Sequence, residues 1–125
     1  MLGELKGPFP FGVVLVQDEG ATRRIPPWSS ESQQVTAVDD AMAIKIQHEV
    51  DGPASVRVWD DMPANVNGVE LATVRLAVPS GRLLVATAEL EPSIKLPVPK
   101  GSVRVIVIGS ERADAAEIDL IVQPD

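Results

Sequence analysis

The chain has 125 residues, no cysteine and a formal net charge of −7 at pH 7. The length suits one domain over residues 1–125, and the absence of cysteine excludes disulfides, cysteine-ligated zinc and a thiol nucleophile. The negative charge argues against nucleic-acid binding, because phosphates require a basic surface, and favours a basic protein as partner. Acidity that only keeps a small domain soluble is the alternative.

The start of the chain lacks a secretion signal, because Glu4 and Lys6 interrupt the apolar run that such a signal needs. No stretch approaches the roughly 20 consecutive apolar residues of a membrane span. We therefore expect a cytoplasmic protein that does not associate with membranes.

Glycine and proline punctuate residues 1–11, which predicts an N-terminal arm leading into a first strand over Gly12–Asp18. Phe9 and Phe11 are the only phenylalanines in the chain. We expect both side chains to hold the arm against the edge of the core.

The segment 21–32 has no hydrophobic period, and Pro26 and Pro27 should keep it extended before Trp28. Long loops often carry function, although a plain surface crossing between two sheets is the alternative. Ser30 and Gln33 have the spacing of a capping box that would open a short helix through Val38. The alternation over residues 34–38 equally fits a strand.

Two strands are predicted in the middle of the chain, over residues 41–49 and 54–61, because apolar and polar residues alternate in both. The inward-facing residues of the first are Met42, Ile44 and Ile46. Asp51-Gly52-Pro53 separates the two strands and is a strong turn. We expect the two strands to form a hairpin.

A further strand is predicted over Val69–Val78, and the turn Pro79-Ser80-Gly81 should lead into its antiparallel partner at Arg82–Ala88. Alternation divides the first of these strands into two faces. The inward residues are Ala72, Val74, Leu76 and Val78, and the outward residues are Leu71, Thr73, Arg75 and Ala77.

The last third of the chain predicts three more strands. Pro97 cannot donate to a sheet ladder, so Ser93–Val98 should be an edge strand. Val103–Ile108 is apolar at nearly every position, which favours a central strand covered on both faces, and Ile118–Val122 should close the fold. Ala113–Glu117 has room for one helical turn.

The spacing of these elements predicts an all-β fold, an antiparallel two-sheet β-sandwich of about seven to eight strands with at most one short helix. Helices that would connect parallel strands are not predicted.

The residues give no catalytic set. His48 is the only histidine, and without a second histidine or a cysteine it should be a surface residue with no catalytic role. Nucleophile elbows, phosphate-binding glycine loops and metalloprotease patterns are absent from the sequence. We therefore predict that the protein is not an enzyme and needs no cofactor or metal.

Carboxylates concentrate at the predicted strand ends, where hairpin pairing would gather them into one acidic rim. Such a rim could hold calcium, so a calcium- or small-ligand-binding module is the alternative function, although the spacing matches no calcium loop. Trp28 is either packed or an exposed anchor for a partner. The predicted partner-binding residues are Trp28, Glu31, Asp39, Asp40, Asp60 and Asp61.

Two stretches resemble a known family. WSSESQQVTAVDDAMAIKI at Trp28–Ile46 and LPVPKGSVRV at Leu96–Val105 are similar to the bacterial competence nuclease-inhibitor family of the ComJ type. The resemblance implies a small β-sandwich that binds and blocks a nuclease. A nuclease has a basic cleft, and carboxylates can lie where phosphates would bind. The basic protein partner would then be a nuclease.

Overall fold

The computed structural model describes residues 1–22 and 28–125, and that part of the chain contains ten β-strands. In chain order they are β1 (Gly3–Gly7), β2 (Val13–Asp18), β3 (Val35–Val38), β4 (Ala41–Lys45), β5 (Ala54–Trp59), β6 (Val69–Val78), β7 (Arg82–Thr87), β8 (Ser93–Pro97), β9 (Gly101–Gly109) and β10 (Glu117–Pro124). Two short 3₁₀ helices, Pro10–Gly12 and Glu49–Asp51, precede β2 and β5. None of the helical segments in the described ranges has the length and apolar character that a membrane crossing requires.

The strands form two five-stranded sheets. The first sheet has the order β1-β5-β10-β9-β6, and the second has the order β3-β4-β2-β7-β8. Neighbouring strands run antiparallel except β5 and β10, which pair in parallel. The predicted all-β class with two mostly antiparallel sheets is therefore confirmed.

Buried side chains from both sheets belong to one hydrophobic cluster, because alternate residues of each strand point to the same face. The predicted inward residues Met42, Ile44 and Ile46 are all in this cluster. With almost no aromatic residues, valine, isoleucine and leucine fill most of the core. The clustered strand residues include Val14, Val16, Val56, Val58, Leu83, Val85, Val103, Val105, Val107, Ile118 and Leu120.

The predicted strand count of seven to eight was too low. Gly3–Gly7, predicted as part of an arm, is β1 and pairs with β5, because Leu5 enters the core from it. Val35–Val38 is strand β3, the alternative that the alternation over residues 34–38 indicated, and not the helix that the capping-box spacing indicated.

Neither predicted helix forms. The Gln33 side chain accepts a hydrogen bond from the Ser29 N–H at 2.6 Å instead of capping a helix. Ala113–Glu117 contains no helical turn, and Glu117 begins β10. The predicted extended segment at Pro26 and Pro27 lies outside the described residues.

Both predicted hairpins are wrong. β4 and β5 lie in different sheets, and so do β6 and β7. Two strands joined by a short turn can pair with each other in a hairpin, or the second strand can lie in the other sheet. The turn residues are similar for both arrangements, so the sequence does not distinguish them. β6 pairs with β9, whereas β7 pairs with β2 and β8.

The late strands follow the predictions more closely. β8, which contains Pro97, is an edge strand as expected. β9 has a neighbouring strand on each side, although β10 and not β9 occupies the middle of the first sheet. β9 is not covered on both faces as predicted, because Arg104 is exposed. A register shift between Glu70 and Ala72 marks a β-bulge in β6, and it lets Leu71 pack against the core although alternation predicted an outward position.

Phe9 and Phe11 differ sharply in exposure. Phe9 is 1% exposed and part of the core, as predicted. Phe11 is 72% exposed, so it does not hold the N-terminal segment to the core edge as predicted. Phe11 lies within the 3₁₀ turn Pro10–Gly12, and Phe9 immediately precedes that turn.

Candidate functional site

Trp28 and Glu31 are brought together by Lys45, the last residue of β4. The Lys45 Nζ lies 5.0 Å from the centroid of the Trp28 ring and donates a hydrogen bond of 2.7 Å to the Glu31 carbonyl oxygen. A cation over an indole face is attracted by the ring quadrupole. Trp28 is therefore half-buried and held by the protein's own lysine, while the Glu31 side chain stays exposed.

A cavity of about 270 Å³ opens beside this contact. Trp28, Glu31 and Lys45 line one part of it, and Phe11 and His48 are also among its lining residues. His48 caps the Glu49–Asp51 turn, since its Nδ1 accepts the Val50 N–H at 3.1 Å. This hydrogen bond gives the histidine a structural role.

Asp39 and Asp40 form the turn between β3 and β4. The Asp39 carbonyl accepts the Ala77 N–H of the other sheet at 2.8 Å, and the Asp40 carbonyl accepts the Asp18 N–H at 2.9 Å. The Asp40 Oδ1 is buried without a hydrogen-bond partner, whereas Asp39 is exposed. The backbone of this turn thus links the two sheets.

Asp18 is 3% exposed and fixes the same region. Its Oδ1 accepts hydrogen bonds from the Ser80 hydroxyl at 2.6 Å and the Ser80 N–H at 3.1 Å, and its Oδ2 accepts the Gly20 N–H at 2.9 Å. The Asp18 carboxylate therefore accepts hydrogen bonds from two turns, a role that was not predicted from the sequence.

Asp60 and Asp61 follow β5 and are both exposed. The Asp61 Oδ1 accepts the N–H of Met62 at 3.1 Å. Because β5 belongs to the first sheet and β4 to the second, the hairpin expected to place these residues beside Asp39 and Asp40 does not form.

The predicted residues therefore occupy several places. Trp28 and Glu31 lie at the Lys45 end of β4, and Asp39 and Asp40 precede its other end, roughly 13 Å away along the strand. Across residues 1–22 and 28–125, no three His, Asp or Glu side chains come together in a group that could hold a metal ion.

One polar cluster on β5 and β10, centred on the buried Asp119, was not predicted from the sequence. Asp119, 6% exposed, accepts hydrogen bonds from Arg57 Nε at 2.9 Å, from an Arg57 terminal nitrogen at 3.2 Å and from Trp59 Nε1 at 2.8 Å. Arg57 also pairs with Glu117 at 3.2 Å. The hydrogen bond to Asp119 raises the pKa of Arg57 above its ordinary value.

This cluster borders a second cavity, of about 420 Å³, between β5, β10 and the 65–67 loop. Asp119 accepts two hydrogen bonds from Arg57 and one from Trp59, so these side chains hold the neighbouring strands β5 and β10 together. The sequence feature that could have indicated this cluster is Asp119 itself, a charged residue between Ile118 and Leu120 in an otherwise apolar strand.

No family model and no curated protein sequence matches the chain. Two solved structures resemble it in fold. The crystal structure of ComJ from Bacillus subtilis, inhibitor of the DNA-degrading activity of NucA, has a TM-score of 0.69 and 16% identity, covering 98% of this chain and 96% of that chain. The structure described as crocagin biosynthetic gene J has a TM-score of 0.56 and 20% identity, covering 94% and 93%. The resemblance to the ComJ type is thereby confirmed for the fold.

Proposed function

We propose that the chain is a single-domain, non-enzymatic protein of the cytoplasm that binds a basic surface of a nuclease and blocks it. The observation that carries this proposal is the likeness of fold to ComJ over 98% of this chain and 96% of that one. ComJ inhibits the DNA-degrading activity of NucA. We take the two sheets to be the layers of a β-sandwich whose turns present the binding residues.

Charge supports the same function. The surface of a nuclease that holds DNA must be basic, because it faces phosphates. A chain with a net charge of −7 is attracted to such a surface, and exposed carboxylates can occupy the positions of the phosphates. Asp39, Asp60 and Asp61 are exposed turn residues suited to this role, and Asp40 is half-buried beside Asp39.

The side-chain chemistry is consistent with a binding protein. Asp119 and Asp18 are buried acceptors committed to Arg57, Trp59, Ser80 and Gly20. His48 caps a turn through its Nδ1. These groups therefore have structural partners within the chain.

The test is a DNA-degradation assay with purified NucA and increasing amounts of the chain. We expect the rate of degradation to fall as the chain approaches an equimolar ratio. A gel-shift assay with the chain and DNA alone is the control, and it should show no complex, because an acidic chain repels phosphates. Degradation that continues unchanged at a large molar excess would contradict the nuclease-inhibitor function.

A further inference from the structure

Two of the most exposed apolar side chains of the described residues lie on two short turns that pack side by side. Phe11 is 72% exposed on the turn Pro10–Gly12, and Val50 is 79% exposed on the turn Glu49–Asp51. Apolar groups in water gain free energy when a partner covers them. Their position beside the cavity that Trp28 lines makes this end of the molecule a candidate contact surface.

The conformation of Phe11 is unfavourable for an aromatic residue. Its φ of 61° and ψ of 5° lie in the left-handed region, which residues with a Cβ rarely adopt. The neighbours fix this geometry, since Phe9 is buried and the Gly12 N–H donates to the Phe9 carbonyl at 3.0 Å. On the other side, the Gly12 carbonyl accepts the Ile46 N–H at 3.0 Å. A strained residue held outward by its surroundings points to a function for the side chain.

Val50 is also held in place. Its N–H donates to His48 Nδ1 at 3.1 Å, and the Asp51 N–H donates to the His48 carbonyl at 2.9 Å. The turn is therefore closed by its own hydrogen bonds, and the valine side chain projects from a fixed backbone. A preorganised apolar group loses little entropy when a partner covers it.

The cavity of about 270 Å³ next to Phe11 has room for a side chain of a partner. Its walls include Trp28 and His48 as well as the carboxylate-bearing residues Glu31 and Asp114. Asp114 is fixed by its N–H, which donates to Gln34 Oε1 at 3.0 Å. Among the described lining residues, the lysine or arginine is Lys45, which is already engaged by the Trp28 ring and the Glu31 carbonyl.

Carboxylates surround the apolar centre. Glu31 and Asp114 line the cavity, and Glu49 and Asp51 flank Val50 in its turn; all four residues are exposed. An apolar centre with an acidic rim complements a basic protein that presents an apolar side chain between lysines or arginines.

We propose that Phe11, Val50 and Trp28, with this acidic rim, form a surface through which the chain binds its basic partner, in addition to the aspartates of the turns at Asp39–Asp40 and Asp60–Asp61. An apolar side chain of the partner enters the cavity beside Phe11, and flanking cationic side chains pair with the four carboxylates. This inference rests on the proposed function and adds an apolar contact surface to it. We call it the Phe11 surface.

The first experiment compares Phe11→Gly with Leu90→Gly in the NucA assay. Leu90 is also exposed, at 49%, and also has a positive φ, 66°, but it lies in the β7–β8 turn and does not line the cavity. Glycine suits both backbones. We expect Phe11→Gly to weaken inhibition about 30-fold, as the loss of an interface hot spot does, and Leu90→Gly to inhibit like the unmodified chain.

Thermal melting of these variants and of a further one, Phe11→Ser, checks that they fold. Phe11→Gly should melt no lower than Phe11→Ser, and both should inhibit more weakly than the unmodified chain. If the unmodified chain inhibits NucA and Phe11→Gly inhibits it equally well, the Phe11 surface is wrong while the proposed function stands.

A second experiment decides the case in which NucA is not inhibited and the proposed function fails. A synthetic peptide of lysines around one central leucine is titrated into the isotope-labelled chain. We expect shifts in the amide resonances of Gly12, Val50 and Asp114, and weaker shifts with an all-lysine peptide. Resonances that shift elsewhere, or not at all, would overturn the Phe11 surface.

Discussion

One carboxylate oxygen, Asp119 Oδ1, accepts the indole N–H of Trp59 at 2.8 Å. The same oxygen accepts Arg57 Nε at 2.9 Å, so a single residue of β10 holds two residues of β5. β5 and β10 form the one parallel pairing in the described part of the chain, between segments about 60 residues apart in sequence. These hydrogen bonds reinforce a pairing that no short turn enforces.

Replacing Asp119 should therefore destabilise the fold. In Asp119→Ala, the Trp59 N–H and two Arg57 donors lose their acceptor, which should cost about 2–3 kcal/mol of unfolding free energy, measured by urea denaturation. The control is Glu117→Gln, whose side chain is 53% exposed and should matter by less than about 1 kcal/mol. If the two changes lowered the unfolding free energy equally, the buried cluster would contribute no more to stability than an exposed ion pair does.

The backbone at Phe11 gives a second stability prediction. At a φ of 61°, glycine is unstrained whereas alanine is not, so Phe11→Gly should be more stable than Phe11→Ala by about 1 kcal/mol. Chemical denaturation of the two variants measures the difference. An alanine variant as stable as the glycine variant would mean that residue 11 is not left-handed in solution.

A third prediction concerns the start of β6. A Cβ at Gly68 would lie 2.6 Å from the Gly109 carbonyl oxygen and 2.8 Å from Ile108 Cγ2. Gly68→Ala should therefore lower the unfolding free energy by about 1–3 kcal/mol. Its exposed neighbour supplies the control, since Asn67→Ala should change stability by no more than about 0.5 kcal/mol. A neutral Gly68→Ala would argue against this close approach of β6 to β9.

Calcium provides a fourth test. Because the described residues contain no group of three His, Asp or Glu side chains suited to a metal, the melting temperature should be the same in calcium and in EDTA. A site at 100 times its Kd would add about 2.7 kcal/mol of stability. A rise of several degrees with calcium that EDTA reverses would restore the calcium-binding alternative.

Much of the core could be predicted because burial of one face of a strand produces a local pattern of apolar residues in the sequence. The alternation of Met42, Ile44 and Ile46 marks an inward face, and all three side chains are in the core. In the nearly apolar run at Val103–Ile108, Val103, Val105 and Val107 are in the core, but Arg104 is exposed, so the predicted cover on both faces is wrong. These patterns depend only on which face of a strand meets the core.

Strand partners were predicted less well, because pairing depends on distant residues. The short turn after Val78 gives no sign that β7 joins the other sheet. β1 was missed since two glycines bound its five residues, and only Leu5 shows that it packs.

In the candidate site, too, contacts between residues near in sequence were easier to predict than contacts between distant residues. Trp28 and Glu31 are near each other in sequence and meet at Lys45. Asp119 meets Arg57 and Trp59 only through the parallel pairing, which no local pattern predicts. The exposure of Phe11 depends on a left-handed backbone that an aromatic residue does not suggest.

Salt dependence of the affinity for NucA tests the central claim most directly. The carboxylates Asp39, Asp40, Asp60 and Asp61 are changed together to asparagine. The control neutralises four other exposed carboxylates, Glu70, Glu89, Glu91 and Glu111, to glutamine, so that the net charge changes equally. We expect the aspartate variant to bind more weakly than the control and with a flatter dependence on salt. An affinity and salt dependence identical to those of the unmodified chain would contradict the account.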